Sequence, residues 1–262
     1  MPGVGEVRRY LLGLAKLEQL AKTPALRKDN AMPATETPSL PRVGLLIPSS
    51  NTVMERDLRS SLADVVDLYS ARMHLVETNK DAEAAMLDTH LPQAIEDIAS
   101  LRPAVTVFGC TSAGALRGPD YDRDLCARIA DRTQSRAVST IASASAAISE
   151  TGRNRVAVLT PYVDELNVKI QSSLSSGGLE ILDIEGFGID ECFRLAEPTP
   201  REIADRALKL IERARPEVLF ISCTNFRALE AVDEIESAAG IPVVTSNRAV
   251  AAAVRKALSE AQ

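Results

Sequence analysis

The sequence predicts an α/β fold of two similar lobes related by a pseudo-twofold axis, each a four-stranded parallel sheet flanked by helices. Three observations carry that expectation. Arg42-Val43-Gly44-Leu45-Leu46-Ile47-Pro48 and Arg155-Val156-Ala157-Val158-Leu159-Thr160-Pro161 both read R-V-x-x-L-x-P. Cys110-Thr111-Ser112-Ala113-Gly114-Ala115-Leu116 and Cys223-Thr224-Asn225-Phe226-Arg227-Ala228-Leu229 both read C-T-x-x-x-A-L, and the two pairs share one offset of 113 residues (156 − 43 and 223 − 110). Two matches in one register indicate an internal duplication, with a period far too long for a solenoid. Finally, the strand segments are continuously apolar and alternate with helix-length segments, which is the pattern of parallel sheets covered on both faces.

In chain order, residues 1–41 read as an addition to the core. Val7 to Ala21 carries leucines at helical spacing among charged residues, an amphipathic helix. The following stretch holds Pro24, Pro33, Pro38 and Pro41 and reads as a linker. The fold proper starts at Arg42, with a buried strand over 43–47 and an exit loop, Pro48 to Thr52. Next come a helix over 53–62, a β-like stretch over 67–76 and a long helix over 82–101. A buried strand over 104–109 delivers Cys110, followed by a helix near 122–131, a strand at 137–140 and a helix over 142–150. The second half repeats this order with strands at 156–160, 180–187, 218–222 and 241–245. Its helices are expected at 163–174, 201–214, 224–239 and 249–260. Thr199 with Glu202 forms a capping-box pattern at the start of the second of these.

Composition narrows the function. The 262 residues are 45% hydrophobic and 25% charged, ordinary for a globular protein, and the net charge of −6 argues against a phosphate-backbone binder. No apolar run approaches the ~20 residues needed to span a bilayer, and no secretory pattern opens the chain. A cytoplasmic location, with no nucleic-acid or membrane partner, is therefore expected. Cys110, Cys126, Cys192 and Cys223 show no paired spacing and read as free thiols. The only histidines, His74 and His90, stand apart, so neither a zinc site nor a histidine-assisted triad is supported. No Gly-rich nucleotide loop and no GxSxG elbow is present, and no cofactor or metal is expected.

The chemistry gathers at the strand ends, where open α/β sheets bind ligands. A cysteine between a strand and a helix start is expected to have a lowered thiol pKa. Thr111, Ser112, Thr224 and Asn225 follow the two cysteines, and Ser49, Ser50, Asn51 and Thr52 stand at the end of the first strand. Their hydroxyls, amides and neighbouring N–H groups suit carboxylate oxygens. Tyr162 follows a strand-end proline and could donate to a carboxylate. A lone buried cysteine often packs as a small hydrophobe, the reading that suits Cys126. Two at matching positions instead suggest that Cys110 and Cys223 act on opposite faces of one small carboxylate.

These motifs carry a resemblance. Pro48-Ser49-Ser50-Asn51-Thr52-Val53-Met54-Glu55, Gly109-Cys110-Thr111-Ser112, Thr160-Pro161-Tyr162 and Ser222-Cys223-Thr224-Asn225 resemble the aspartate/glutamate racemase superfamily. Within it they look most like maleate cis-trans isomerases and arylmalonate decarboxylases, a branch that also holds ectoine-utilisation proteins. The resemblance runs from about Arg42 to the C-terminus. It implies Cys110 as the nucleophile that adds to a substrate double bond, Cys223 as the thiol on the opposite face, and Asn51 and Tyr162 as carboxylate holders. It also implies a terminal helix swapped onto the first lobe. Lobe 1 is then 42–141 with 246–262, and lobe 2 is 142–245. One departure falls in the loop after 180–187, where maleate isomerases place an asparagine and the nearest match here is Cys192. The function expected is a cofactor-independent isomerase or racemase of a small (di)carboxylate, in a homodimer or higher homo-oligomer. An arylmalonate-type decarboxylase, which resembles this chain but keeps one cysteine, and a non-catalytic carboxylate-binding protein are the alternatives.

Overall fold

A computed structural model describes residues 40–260. The expected amphipathic helix and nearly all of the proline-rich segment lie outside them. The first half runs β1 (Arg42–Pro48), α1 (Met54–Ser61), β2 (Asp67–Met73), α2 (Lys80–Ala85), a π-helical turn (Met86–His90) and α3 (Leu91–Ala99). It continues with β3 (Val105–Phe108), α4 (Thr111–Leu116), α5 (Pro119–Thr133), β4 (Arg136–Ser139) and α6 (Thr140–Glu150). The second half has β5 (Arg155–Thr160), α7 (Asp164–Ser176), β6 (Glu180–Gly186), a 3-10 turn (Phe193–Ala196) and α8 (Pro200–Ala214). It ends with β7 (Val218–Ile221), a 3-10 turn (Arg227–Ala231), α9 (Val232–Ala239), β8 (Val243–Thr245) and α10 (Ser246–Ser259).

The two sheets have equivalent orders, β2-β1-β3-β4 and β6-β5-β7-β8, and every pairing is parallel. The duplication is visible in the structure: three strand pairs start 113 residues apart (155 − 42, 180 − 67 and 218 − 105). In each sheet the strand order reverses between the first and third strands, β1 and β3 or β5 and β7. That reversal opens the crevice in which such sheets hold ligands. The Pro48–Asn51, Gly109–Cys110, Pro161–Tyr162 and Ser222–Cys223 loops leave these four strands.

Alternation along β1 sorts its side chains into two layers, as the pleat requires. Val43, Leu45 and Ile47 pack with Met54 and Leu58 of α1 and with Val250, Ala251 and Val254 of α10. Leu46 joins the larger core that runs through both sheets. The Arg136 guanidinium holds the end of α10 by donating to the carbonyls of Ala257 and Glu260, each at 2.6 Å. The Thr199–Glu202 capping box forms as expected.

Three expectations are corrected. The long helix over 82–101 is interrupted by the π-helical turn. The β-like stretch 67–76 ends as a strand at Met73. The helix expected from Thr224 begins as α9 only at Val232. Cys223 takes φ +101°, and the Asn225 amide is drawn to the Cys192 carbonyl at 2.8 Å. The chain therefore turns before it can coil.

Gly186 closes the loop that carries Tyr162. A Cβ there would stand 2.2 Å from the Tyr162 carbonyl oxygen and 2.6 Å from Asn167 Nδ2. The loop has no slack, because the N–H groups of Phe187, Gly188 and Ile189 donate to the carbonyls of Thr160, Tyr162 and Pro161. Gly186→Ala should therefore destabilise the protein by about 1–3 kcal/mol, as overpacking does. Urea unfolding measures this, and an unchanged midpoint would show that the loop can yield.

Candidate active site

The strand-end loops converge through buried hydrogen bonds between the two halves. Asn51 Oδ1 accepts from the N–H groups of Val53 (3.1 Å) and Met54 (3.0 Å), fixing the start of α1. Its Nδ2 donates to Thr224 Oγ1 at 2.9 Å, and that hydroxyl donates to the Gly109 carbonyl at 3.0 Å. Asn225 Oδ1 accepts from the Thr52 N–H at 2.9 Å. The Cys223 N–H donates to Ser246 Oγ at 3.1 Å, and the Asn225 N–H donates to Cys223 Sγ at 3.2 Å.

One small cavity results. Both thiols, Cys110 and Cys223, line it, with Asn51, Ser112, Tyr162, Thr224 and Asn225. Ser49, Ser50 and Thr111 do not. Ser49 and Ser50 turn their hydroxyls to the Leu75 backbone, and Thr111 pairs with Ser246 at 3.0 Å. Their hydroxyls secure loops.

The roof is made of two segments that clasp each other. Leu75 and Thr78 come from the stretch after β2, and Cys192 and Leu195 from the stretch after β6. The Thr78 N–H donates to the Asp190 carbonyl and the Cys192 N–H to the Val76 carbonyl, flanking an antiparallel bridge between Glu77 and Glu191. The enclosed space is about 10 Å³, room for about one water molecule. Parting this clasp is one way to make room for a ligand larger than water. A larger cavity of about 580 Å³, among α5, α6 and α7, is lined by neither site thiol.

Among the described residues, no lysine, arginine or histidine lines the site cavity. Burial accordingly pushes every acid in it upward. Cys110 lies well above the ordinary thiol value, first through burial and next through the Glu83 carboxylate, outweighing its contact with the Ala113 N–H. The expected lowering at a helix start is thus overturned, because burial and Glu83 outweigh the hydrogen bonds from the Ala113 N–H and the Ser112 side chain. Cys223 is pushed up to about 12 by burial, against the opposing hydrogen bond from Tyr162. Tyr162 and Cys192 are raised by burial too.

Glu83 went unseen in the sequence. It is fully buried on α2, and burial pushes its carboxyl up to about 8. Asn79-Lys80-Asp81-Ala82-Glu83 looks like a helix start whose acids sit in solvent near the positive dipole end. Asn79 does cap this helix, accepting from the Ala82 N–H at 2.9 Å. The available signal was the apolar pair at the third and fourth positions onward, Met86 and Leu87, both buried. They put Glu83 on the inward face.

Comparison with known proteins places this architecture. The arylmalonate decarboxylase family model matches residues 43–262. The chain belongs to that family. Among curated members of this wider group, a maleate isomerase from Geobacillus stearothermophilus is 23% identical over 83% of the chain and 92% of its own length. A cysteine-to-alanine variant of the maleate isomerase Iso from Pseudomonas putida S16, with maleate, superposes with a TM-score of 0.80 at 22% identity, covering 84% of this chain and 93% of that one. A cysteine-to-serine variant of Nocardia farcinica maleate cis-trans isomerase, with a covalently bound succinylcysteine intermediate, gives 0.79 at 22% identity, covering 84% and 94%. Among the described residues no helix is long and apolar enough to cross a membrane, and no group of three or more His, Cys, Asp or Glu side chains is placed to hold a metal ion.

The clasp yields a prediction. Without added ligand the Thr78 and Cys192 amides should exchange with deuterium faster than those of β1 and β5, and a ligand held in the cavity should slow them. Protection equal to the sheet strands, unchanged by ligand, would mean that the clasp does not open.

Proposed function

We propose that the protein is a cofactor-independent cis-trans isomerase of a small unsaturated dicarboxylate of the maleate type. The observation that carries this reading is that two thiols from equivalent strand ends of a duplicated fold line one small cavity. Cys110 adds through sulfur to one alkene carbon, and Cys223 gives its proton to the other. The single bond so formed rotates, and the two steps run in reverse. Asn51 Nδ2 has two N–H bonds and spends one on Thr224, leaving the other for a substrate carboxylate. The Tyr162 phenol, beside Cys223, is suited to the second carboxylate. The sequence relatives and the covalent adduct held by the Nocardia enzyme support the same assignment.

Decarboxylation is the second reading, favoured by the matching family model. It needs only one proton donor, because departing carbon dioxide leaves the carbanion without a base. The second thiol favours isomerisation.

Turnover of maleate, followed by proton NMR in deuterium oxide, tests this. Serine keeps the shape but supplies no anion near neutral pH, so Cys110→Ser and Cys223→Ser should each lose roughly 10²–10⁴-fold in kcat. Near-full activity in Cys110→Ser with a dead Cys223→Ser would overturn the two-thiol mechanism, and release of carbon dioxide in place of the trans isomer would replace isomerisation with decarboxylation.

A further inference from the structure

The two-thiol chemistry needs Cys110 as an anion, yet its surroundings hold the proton on sulfur. The same surroundings contain a path by which that proton could leave. Ser112 Oγ lies 3.8 Å from Cys110 Sγ, within reach of a sulfur hydrogen bond, and donates to Glu83 Oε1 in a short contact. Glu83 Oε2 has no hydrogen-bond partner among the described residues, although its side chain is fully buried and lines the cavity. A buried carboxylate is costly unless it is paired, and among the described residues nothing cationic lines this cavity to pair it.

We propose that Glu83 is the base for Cys110, working through the Ser112 hydroxyl rather than on the substrate. The transfer balances. The Cys110 S–H bond breaks and its proton passes to Ser112 Oγ, while the Ser112 proton passes to Glu83 Oε1. The result is a thiolate, an intact serine hydroxyl and a neutral carboxyl, with no net change of charge in the cavity. The chain of hydrogen bonds then points the other way, with Glu83 donating to Ser112 and Ser112 to the sulfur. When the product double bond reforms and Cys110 is expelled, the proton returns by the same path. Moving a charge within the cavity avoids bringing hydroxide into a closed, desolvated site.

The titratable groups facing Glu83 are Cys110 from the β3–α4 junction, Cys192 from the roof, Cys223 from the end of β7, Tyr162 from the end of β5 and Glu165 on α7. All are acids, so none lowers its proton affinity by opposite charge. A carboxyl at about 8 is poised to give and take a proton near neutrality.

The proposal rests on the thiol chemistry of the isomerase reading, and its test has one arm with substrate and one without. In the first arm, Glu83→Gln and Ser112→Ala are compared with the parent for maleate turnover. Each should lose roughly 10²–10⁴-fold in kcat with little change in KM, and the double variant should be no worse than either single one, as for groups acting as a unit. The parent's rise of kcat with pH should level off near pH 8, and that inflection should vanish in Glu83→Gln. The second arm measures the rate of iodoacetamide labelling at Cys110, by peptide mass spectrometry, against pH. In the parent it should level off above about pH 8, and in Glu83→Gln it should keep climbing. Thermal melts of each variant establish that it is folded. Losses that multiply in the double variant, an inflection that survives Glu83→Gln, or a defect confined to KM would overturn the relay. Absence of turnover in the parent, with the labelling profile as described, would instead overturn the choice of substrate and leave the relay standing.

Discussion

The site depends on one buried hydroxyl. Thr224 Oγ1 accepts from Asn51 and donates to the Gly109 carbonyl, so a residue of the second half is bonded at once to the ends of β1 and β3. A buried hydrogen bond contributes modestly when made, and leaving its partners unpaired costs about 1–3 kcal/mol each. That asymmetry makes the junction specific, because any slip between the halves strands several polar groups together. Asn247 reinforces it, donating to Asp57 at 2.9 Å and to the Thr224 carbonyl at 3.1 Å. The thiols are thereby placed by a polar network in an otherwise apolar core.

Closure has a cost that falls on the cavity itself. Of the five non-glycine residues with positive φ among the described residues, four lie between +48° and +61°, the ordinary left-handed range, and Cys223 stands apart at +101°. Such a backbone typically costs about 1–3 kcal/mol and persists only where its neighbours over-determine it. Here the Ser246 hydroxyl, the Asn225 N–H and the Thr224 contacts do so. The strain turns the second sulfur into the cavity without a following helix, so the two halves present their thiols differently. Cys110 sits at the start of a short helix beside Ser112 and Glu83, and Cys223 sits in a turn beside Tyr162. Duplication supplied matching positions, and divergence around them gave each sulfur different neighbours.

Much of the fold was legible because a duplicated sequence reports its own register. The R-V-x-x-L-x-P and C-T-x-x-x-A-L pairs fixed both halves, and three strand pairs obey their offset of 113 residues (218 − 105 for the third). That Cys110 and Cys223 meet at one cavity was legible for the same reason. The roof was not, since residues after β2 and β6 have no periodicity and are positioned by backbone bonds to each other. Glu83 was hidden by a rule that is usually right, that an acid in the first turn of a capped helix faces water. Ser49, Ser50 and Thr111 stand at strand ends as expected, but their hydroxyls bond to the Leu75 backbone or to Ser246 and do not line the cavity. The charge state of Cys110 was misjudged because sequence shows the helix start and not the desolvation that outweighs it.

If Cys110 attacks from one side while Cys223 serves the other, the covalent species can be trapped. Cys223→Ser protein incubated with maleate, denatured and weighed intact should gain the mass of one substrate molecule, and peptide mapping should place it on Cys110. An unmodified protein, or an adduct on Cys192 with Cys110 free, would contradict the account.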